Sequence, residues 1–528
     1  MKAINYILAG FAALSLMGCD NFLKEEAKGQ LSTDQFYNNK DDLAASLNAL
    51  YSQVTESMRQ NNFVGLNFLT GDDISTHPAS NKQSLREFDQ YQVADNNAWM
   101  LTMWDWRYRV IKVANFIINN AERTPEVSKE EITEAIAQAH YWRAFNYFYL
   151  VTTWGSVPVM TEEEIDYNAQ RVPVEKIYEL ILSDLEIAEK GCPINYSSAP
   201  YFSNGVNVAV SKGAVKATMA YVYMCMAGWP LNKGAEYYAK AAQKAEEVID
   251  GADNGTYYYK LLPNFKDVYS VAYSKNNPET ILGFYYNRDQ NPNYVPCTDF
   301  FLDMKQSGWG DTNGELKFWK DFPEGPRKDA TYFPKIMLSD GELHNWWEGA
   351  GTREVVAPAF MKSQESSTRG EEFDYTNPQS TSGDGEKTIQ AIRLAEVYCW
   401  YAEAVGRSGQ VTTKAVEVLN RVRNRADGKA TNLYATSMTP EQLAEAAYNE
   451  HGWEIAGYYW CGFAPRARDM FRMYRYKDHF EYRLKNPEIE VAPGVFLKEA
   501  VPVSGTWDDS RMYAPIPYDD VSYNPSLK

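Results

Sequence analysis

The chain has 528 residues, with 70 acidic against 52 basic side chains and a formal charge of −18. So acidic a surface repels nucleic acid and other polyanions, which favours neutral partners. The length supplies ample apolar material for one large core or for about three ordinary domains.

At the N-terminus Lys2 is the single cation ahead of a nearly uncharged stretch from Ile4 to Met17, which ends at Gly18. A secretory leader needs an apolar core of roughly 7 to 15 residues, whereas a spanning helix needs about 20, so this stretch reads as a leader. Leu16, Gly18 and Cys19 resemble a bacterial lipobox, in which cleavage precedes a cysteine that carries a diacylglycerol on its sulfur. Residues 1–18 are therefore assigned to a signal peptide and Cys19 to the lipidated first residue of the mature chain. Two or three acyl chains there would anchor it stably, each buried CH₂ contributing ~0.8 kcal/mol. The run from Asp20 to Ser32 is too polar to pack, and residues 19–35 read as a tether. No other stretch is long and apolar enough to span a bilayer.

Helical patterns follow. The first is expected from Asp41 to Arg59, with Leu43, Leu47 and Leu50 on one seam, and the second from Trp99 to Ala121. Three further segments, "RAFNYFYLV", "AYVYMCMAG" and "AEVYCWYAEA", each place an alanine three residues before a tyrosine: Ala144 with Tyr147, Ala220 with Tyr223, Ala395 with Tyr398. Small and large residues at that spacing share a helical face, so a neighbouring helix can approach beside the ring. Each segment is followed by a Gly or Pro break and a second amphipathic helix, beginning near Val174, running from Ala235 to Ile249, and running from Lys414 to Arg425. Another helix is expected from Pro440 to Gly457.

Three helix–turn–helix units predict a mainly α fold, a scaffold of tetratricopeptide-like pairs with irregular spacing. The scaffold is assigned to residues 36–250 and 389–475, within one domain spanning 36–528 that closes with the segment 476–528. Between them, 251–388 is rich in Gly, Pro, Asn and Asp and reads as a loop-rich excursion with short strands, "ETILGFYYN" from Glu279 among them. Trp104, Trp106, Trp142, Trp400, Trp453 and Trp460 are assigned to packing. Besides Cys19 there are Cys192, Cys225, Cys297, Cys399 and Cys461, an odd set that cannot all pair internally; Cys225 and Cys399 lie in apolar helical runs that suit buried thiols.

Several blocks occur in order: "CDNFLKEEAKGQLSTDQFYNN", "AIAQAHYWRAFNYFYLVTTWGSVPVM", "VPVEKIYELILSDLEIAEKGCP", "VSKGAVKATMAYVYMCMAG", "GPRKDATYF", "IRLAEVYCWYAEAVGRSG" and "MYAPIPYDDVSYNPSLK". Together they resemble the SusD/RagB family of nutrient-binding outer-membrane lipoproteins. The resemblance implies a protein on the outer face of a Gram-negative outer membrane, which captures oligosaccharide or polysaccharide and passes it to a SusC-like TonB-dependent transporter. Lys24, Glu25 and Glu26 are similar to the surface-export signal of this group.

A sugar presents an apolar C–H face and a hydroxyl edge, so its site needs aromatic planes flanked by short polar side chains. Loop aromatics are the better candidates, and the family draws its site from the same two regions. The first holds Trp99 with Asp95, Asn96 and Asn97, and upstream Asp72, Asp73, His77, Asn81 and Arg86. The second holds Tyr294, Trp309, Trp346 and Trp347. Because Trp346 and Trp347 are adjacent, an extended backbone would send them to opposite faces, leaving at most one for ligand.

Two other classes compete: a surface glycoside hydrolase and a helical adaptor that binds protein alone. A hydrolase needs two carboxylates flanking the scissile bond, yet no acid pair stands out, and Asp72 with Asp73 suits a loop cap or hydroxyl acceptor. No H-E-x-x-H, G-x-S-x-G or phosphate-binding loop occurs, and His77, His140, His344, His451 and His479 are scattered. The protein is accordingly expected to be non-catalytic. No EF-hand spacing appears, so no metal ligand set is assigned, and a structural Ca²⁺ held by loop carboxylates is unsupported. The only attached groups expected are the diacylglycerol and acyl chain of Cys19.

Overall fold

Asn39 starts the first helix by accepting from the amides of Asp41 and Asp42, and α1 (Lys40–Ser57) buries the expected seam of Leu43, Leu47 and Leu50. The structure, a computed structural model, describes residues 36–59, 66–162, 166–290, 292, 310–338, 340–349, 355, 357–362, 364–377, 385–457 and 462–528. Cys19, Tyr294 and Trp309 lie outside the described residues, as do Trp460, Cys297 and Cys461.

A short α2 (Gln83–Asp89) precedes α3 (Ala98–Asn120). Then α4 (Lys129–Trp154) opens with a reciprocal capping box between Ser128 and Glu131 and is buried without interruption from Gln138 to Trp154. A helix buried on every side needs neighbours all round it. It packs against α3 and, through the turn after Gly155, against α5 (Val174–Gly191). The second pair is α6 (Lys212–Ala227) with α7 (Ala235–Asp253).

After the excursion, with its short helices α8 (Leu316–Asp321) and α9 (Pro326–Thr331), comes the third pair, α10 (Leu394–Arg407) with α11 (Thr413–Asp427). Helix α10 is buried from Leu394 to Gly406 and also meets α7 and α12 (Pro440–Ile455). Ala144, Ala220 and Ala395 are all buried at these contacts. Tyr147 and Tyr398 are buried beside them, whereas Tyr223 is half-buried. All three expected helix pairs are present, in a mainly α fold whose strands form two-stranded sheets among the described residues. Three short helices, α13 (Arg466–Arg472), α14 (Tyr476–Lys485) and α15 (Tyr518–Tyr523), complete the chain.

The strand expected from Glu279 spans Thr280–Phe284 and pairs antiparallel with the strand Ile389–Arg393. This pairing brings the two ends of the excursion together and delivers the chain back to α10. Below it lies a buried ionic cluster: Arg393 Nη1 donates to Glu454 Oε1 at 2.9 Å, Arg327 Nη1 lies 3.3 Å from Glu454 Oε2, and Arg425 reaches both Glu279 and Glu454. Burial alone would raise the Glu454 carboxyl, yet Arg425, Arg393 and Arg327 hold it down at about 2.

The excursion differs from its expectation in helping to form a second small core, in which Leu316, Phe333, Ile336, Trp346 and Val355 meet Val491 of the C-terminal segment. Trp346 and Trp347 sit on a 3₁₀ turn, not an extended segment, so they do not alternate between faces. Trp346 is 2% exposed, edge-on to Trp319 with centroids 5.1 Å apart, and is a core residue with no surface for ligand. Trp347 is half-buried, 6.0 Å from the same ring. Of the tryptophans assigned to packing, Trp104, Trp142 and Trp400 are buried and Trp453 half-buried. Trp106 is partly open, with the Arg109 guanidinium 5.2 Å from its centroid. Cys192, Cys225 and Cys399 are buried free thiols, and burial pushes Cys225 up to about 12.

Candidate functional site

The stretch "TGDDISTHPASN" folds into β1 (Ile74–Thr76) and a turn. β1 pairs antiparallel with the strand Thr312–Gly314, placing Ile74 opposite Gly314 and Thr76 opposite Thr312. The two stretches selected from the sequence, one leading to Trp99 and the other to Trp309, are thereby joined. Lys82, at the end of the turn, forms a buried ion pair with Asp311, two residues beyond Trp309.

Buried polar groups hold this sheet in place. Asp89 Oδ2 accepts from the Thr76 amide at 2.9 Å, from Thr76 Oγ1 at 2.8 Å and from Ser75 Oγ at 3.2 Å. Its other oxygen accepts from Arg483 Nη1 at 3.1 Å, and the same nitrogen lies 3.3 Å from Glu315 Oε2. His479 bridges Glu315 at 2.7 Å and the Tyr91 hydroxyl at 2.7 Å. Glu499 accepts from the Leu316 amide at 2.6 Å, and burial next to Glu315 raises its carboxyl to about 8. The sequence reading missed this network. Its one visible signal is His479 and Arg483 at four-residue spacing, which puts both on one face of α14.

Helix α2 ties the turn to the start of α3. Arg86 donates to the carbonyls of Ala79 and His77. From the other side, Asn97 Nδ2 donates to Ser84 O at 3.0 Å and Glu87 Oε2 at 2.7 Å. Asn97 Oδ1 accepts from the amides of Trp99 and Met100, so this residue is the buried N-cap of α3 and not a hydroxyl binder. His77, Arg86, Asn96 and Trp99 are thus carried on three short segments fastened to one another. Trp99 is half-buried against the main core and Asn96 is exposed.

His77 Nδ1 accepts from the Ala79 amide at 3.0 Å, which leaves the ring proton on Nε2 as a donor. Partial burial and the nearby Lys82 and Arg86 lower its pKa, so the ring is neutral at pH 7. Asp73 does not join this edge. It is 3% exposed, accepts from the Gly457 amide at 2.9 Å, and burial raises it to about 7. Gly457 itself has φ +59, and a Cβ there would stand 2.2 Å from the Phe360 ring. Asp72 faces the other way. Arg466 grips it bidentately at 2.7 and 3.1 Å and outweighs the effect of burial, lowering its pKa. It lies in a charged groove of about 650 Å³ whose lining includes Phe318, Trp453, Arg475 and Tyr482.

Residues 21–224 match a family model described as starch-binding and associating with the outer membrane, and residues 366–528 match the model of the SusD family. The chain belongs to the SusD/RagB family. Members associate with the outer membrane, and among the described residues no helix is long and apolar enough to cross one. The SusD-like protein P2 of Formosa agariphila is 26% identical over 453 residues, covering 82% of each chain. A SusD homologue from Bacteroides thetaiotaomicron superposes with a TM-score of 0.77 at 18% identity, over 96% of this chain and 99% of that one. A crystal structure described as containing xylogluco-oligosaccharide superposes with a TM-score of 0.68 at 20% identity, over 92% of this chain and 98% of that one.

Proposed function

We propose that this SusD-family protein is a cell-surface lipoprotein, anchored through Cys19, which captures oligosaccharide or polysaccharide without cleaving it and delivers it to a SusC-like TonB-dependent transporter. The observation that carries the reading is the edge around α2. There a half-buried indole, a neutral imidazole with its proton on Nε2, a guanidinium and an exposed amide are carried on segments fastened to one another on the SusD frame. Sugar C–H faces stack on the indole, while Nε2–H, guanidinium and amide groups serve the hydroxyls. A structural relative with the same frame holds a xylogluco-oligosaccharide, which supports the ligand class. The helix pairs are left to face the transporter.

The hydrolase reading finds less support. Asp72 is gripped by Arg466 and Asp73 faces a backbone amide, so these adjacent acids do not face a shared cleft. Deeper acids such as Glu279, Glu454 and Asp469 are engaged by Arg393, Arg425, His451 and Arg472.

Incubation with a panel of oligosaccharides, followed by titration calorimetry and a reducing-end assay, tests the reading. Saturable binding with no new reducing ends is expected. Release of reducing ends would favour the hydrolase, and binding to no glycan would favour the protein-only adaptor.

A further inference from the structure

The turns that close the second and third helix pairs border a groove of about 610 Å³, within the range of small-molecule sites. One wall is the turn from α6 to α7, with Trp229 and Asn232, and another is the end of α10, with Arg407. The first turns of α12, with Glu441 and Glu445, and Tyr474 between α13 and α14 complete it. None of these residues belongs to the segments that carry His77, Arg86, Asn96 and Trp99.

Two rings keep open surface at this groove. Trp229 and Tyr474 are both half-buried, with centroids 5.8 Å apart and planes tilted by 44°. Both are held in place. Gly228 lets the α6–α7 turn come so close to α13 that a Cβ there would collide with the Arg472 carbonyl, and the Trp229 amide donates to that same oxygen at 2.8 Å. The indole then stands edge-on to Phe471, centroids 4.9 Å apart. Tyr474 lies just past the end of α13 at φ +54, a left-handed position where helices ordinarily carry Gly. A tyrosine there is strained relative to glycine, and its hydroxyl donates to Asp509, which also accepts from Trp507 Nε1 at 2.9 Å. The ring is therefore displayed against the local backbone preference and braced from behind.

We infer that this groove is a second carbohydrate site, which stacks a neutral pyranose on Trp229 and Tyr474. The inference rests on the glycan-capture reading and adds a site which that reading does not use. The polar lining selects the class. Each guanidinium near the groove is already matched: Arg407 by Glu403, Arg472 by Glu403 and Asp469, and Arg475 by Glu445. Glu441 has no cation partner among the described residues, so the surplus charge is acidic and disfavours an anionic ligand. Charged side chains beside the rings disfavour an acyl chain. A sugar satisfies both kinds of surface, its C–H face on the rings, its hydroxyls accepting from Arg407 and donating to Glu441 and Glu445.

Titration of the indole N–H resonance of Trp229, assigned by its absence from a Trp229→Phe variant, tests the inference with cellohexaose, maltohexaose, xylohexaose and mannohexaose as probes. Circular dichroism confirms that each variant is folded. At least one probe should shift that resonance saturably, and the shift should persist in Trp99→Ala. Adding Tyr474→Ala should weaken the affinity read from it at least fivefold. A shift abolished by Trp99→Ala alone, or an affinity unchanged by Tyr474→Ala, would overturn the second site. Calorimetry with the same four probes separates this failure from that of capture itself: heat of binding without a shift at Trp229 overturns the second site and leaves the α2 edge intact, whereas no binding of any probe by either method removes both. If only added transporter moves the resonance, the groove is a protein interface and the inference falls.

Discussion

Asp89 offers the sharpest test of how the candidate edge is held. Replacing it with alanine removes the acceptor for three donors on β1 and leaves Arg483, 1% exposed, beside a missing charge. Removing one partner of a buried, hydrogen-bonded pair costs about 3–5 kcal/mol. With an unfolding entropy of ~2.1 cal/mol/K per residue over about 490 folded residues, that corresponds to a melting point lower by ~3–5 °C. Asp89→Asn keeps a neutral acceptor for the Thr76 amide but loses the charge facing Arg483, so its drop should be smaller. Scanning calorimetry measures both. Glycan affinity should fall in parallel, because β1 leads directly into the turn bearing His77. A loss below ~1 °C for the alanine variant would refute the claim that this network fixes the edge.

Two further outcomes follow from the same geometry. Asp73 is raised from 3.8 to about 7, Glu499 from 4.5 to about 8, and His451 from 6.5 to about 9. Burial dominates for the two acids, and for His451 burial is outweighed by the Asp469 and Glu396 carboxylates together. In each case the folded pKa lies above the unfolded one, so the folded state binds more protons and the contribution is lost as pH rises through the folded value. The melting point should therefore decline between pH 5 and 9, and Glu499→Gln should flatten the decline; a profile unchanged by that substitution would count against a protonated Glu499. Trp346→Ala should destabilise by about 3–5 kcal/mol, since it empties the centre of the small core, and urea denaturation would show it, whereas little change would return Trp346 to the surface.

The helices were legible because their signals are local: Asn39, Ser128, the Ala–Tyr spacing and the Gly or Pro breaks all act within a few residues. The strand after Glu279 was legible for the same reason. What was not legible depends on contacts distant in sequence. Asp73 looked like a hydroxyl acceptor because nothing near it reveals the Gly457 amide, 384 positions away. Asn97 looked like a hydroxyl binder, because the sequence does not show its Oδ1 taken by the Trp99 and Met100 amides and its Nδ2 by Ser84 and Glu87. Trp346 looked like a loop aromatic among Gly and Asn, but the core it joins draws Phe333 and Val491 from separate segments. The scattered histidines conceal His479, whose role depends on Tyr91 and Glu315 meeting it in space.

Titration calorimetry of wild-type protein and Trp99→Ala against the oligosaccharide that the wild type binds tests the central claim most directly. Loss of the stacking plane should weaken affinity by at least ~1 kcal/mol, about fivefold, with the melting point little changed. Equal affinity in a folded variant would contradict capture at the edge around α2.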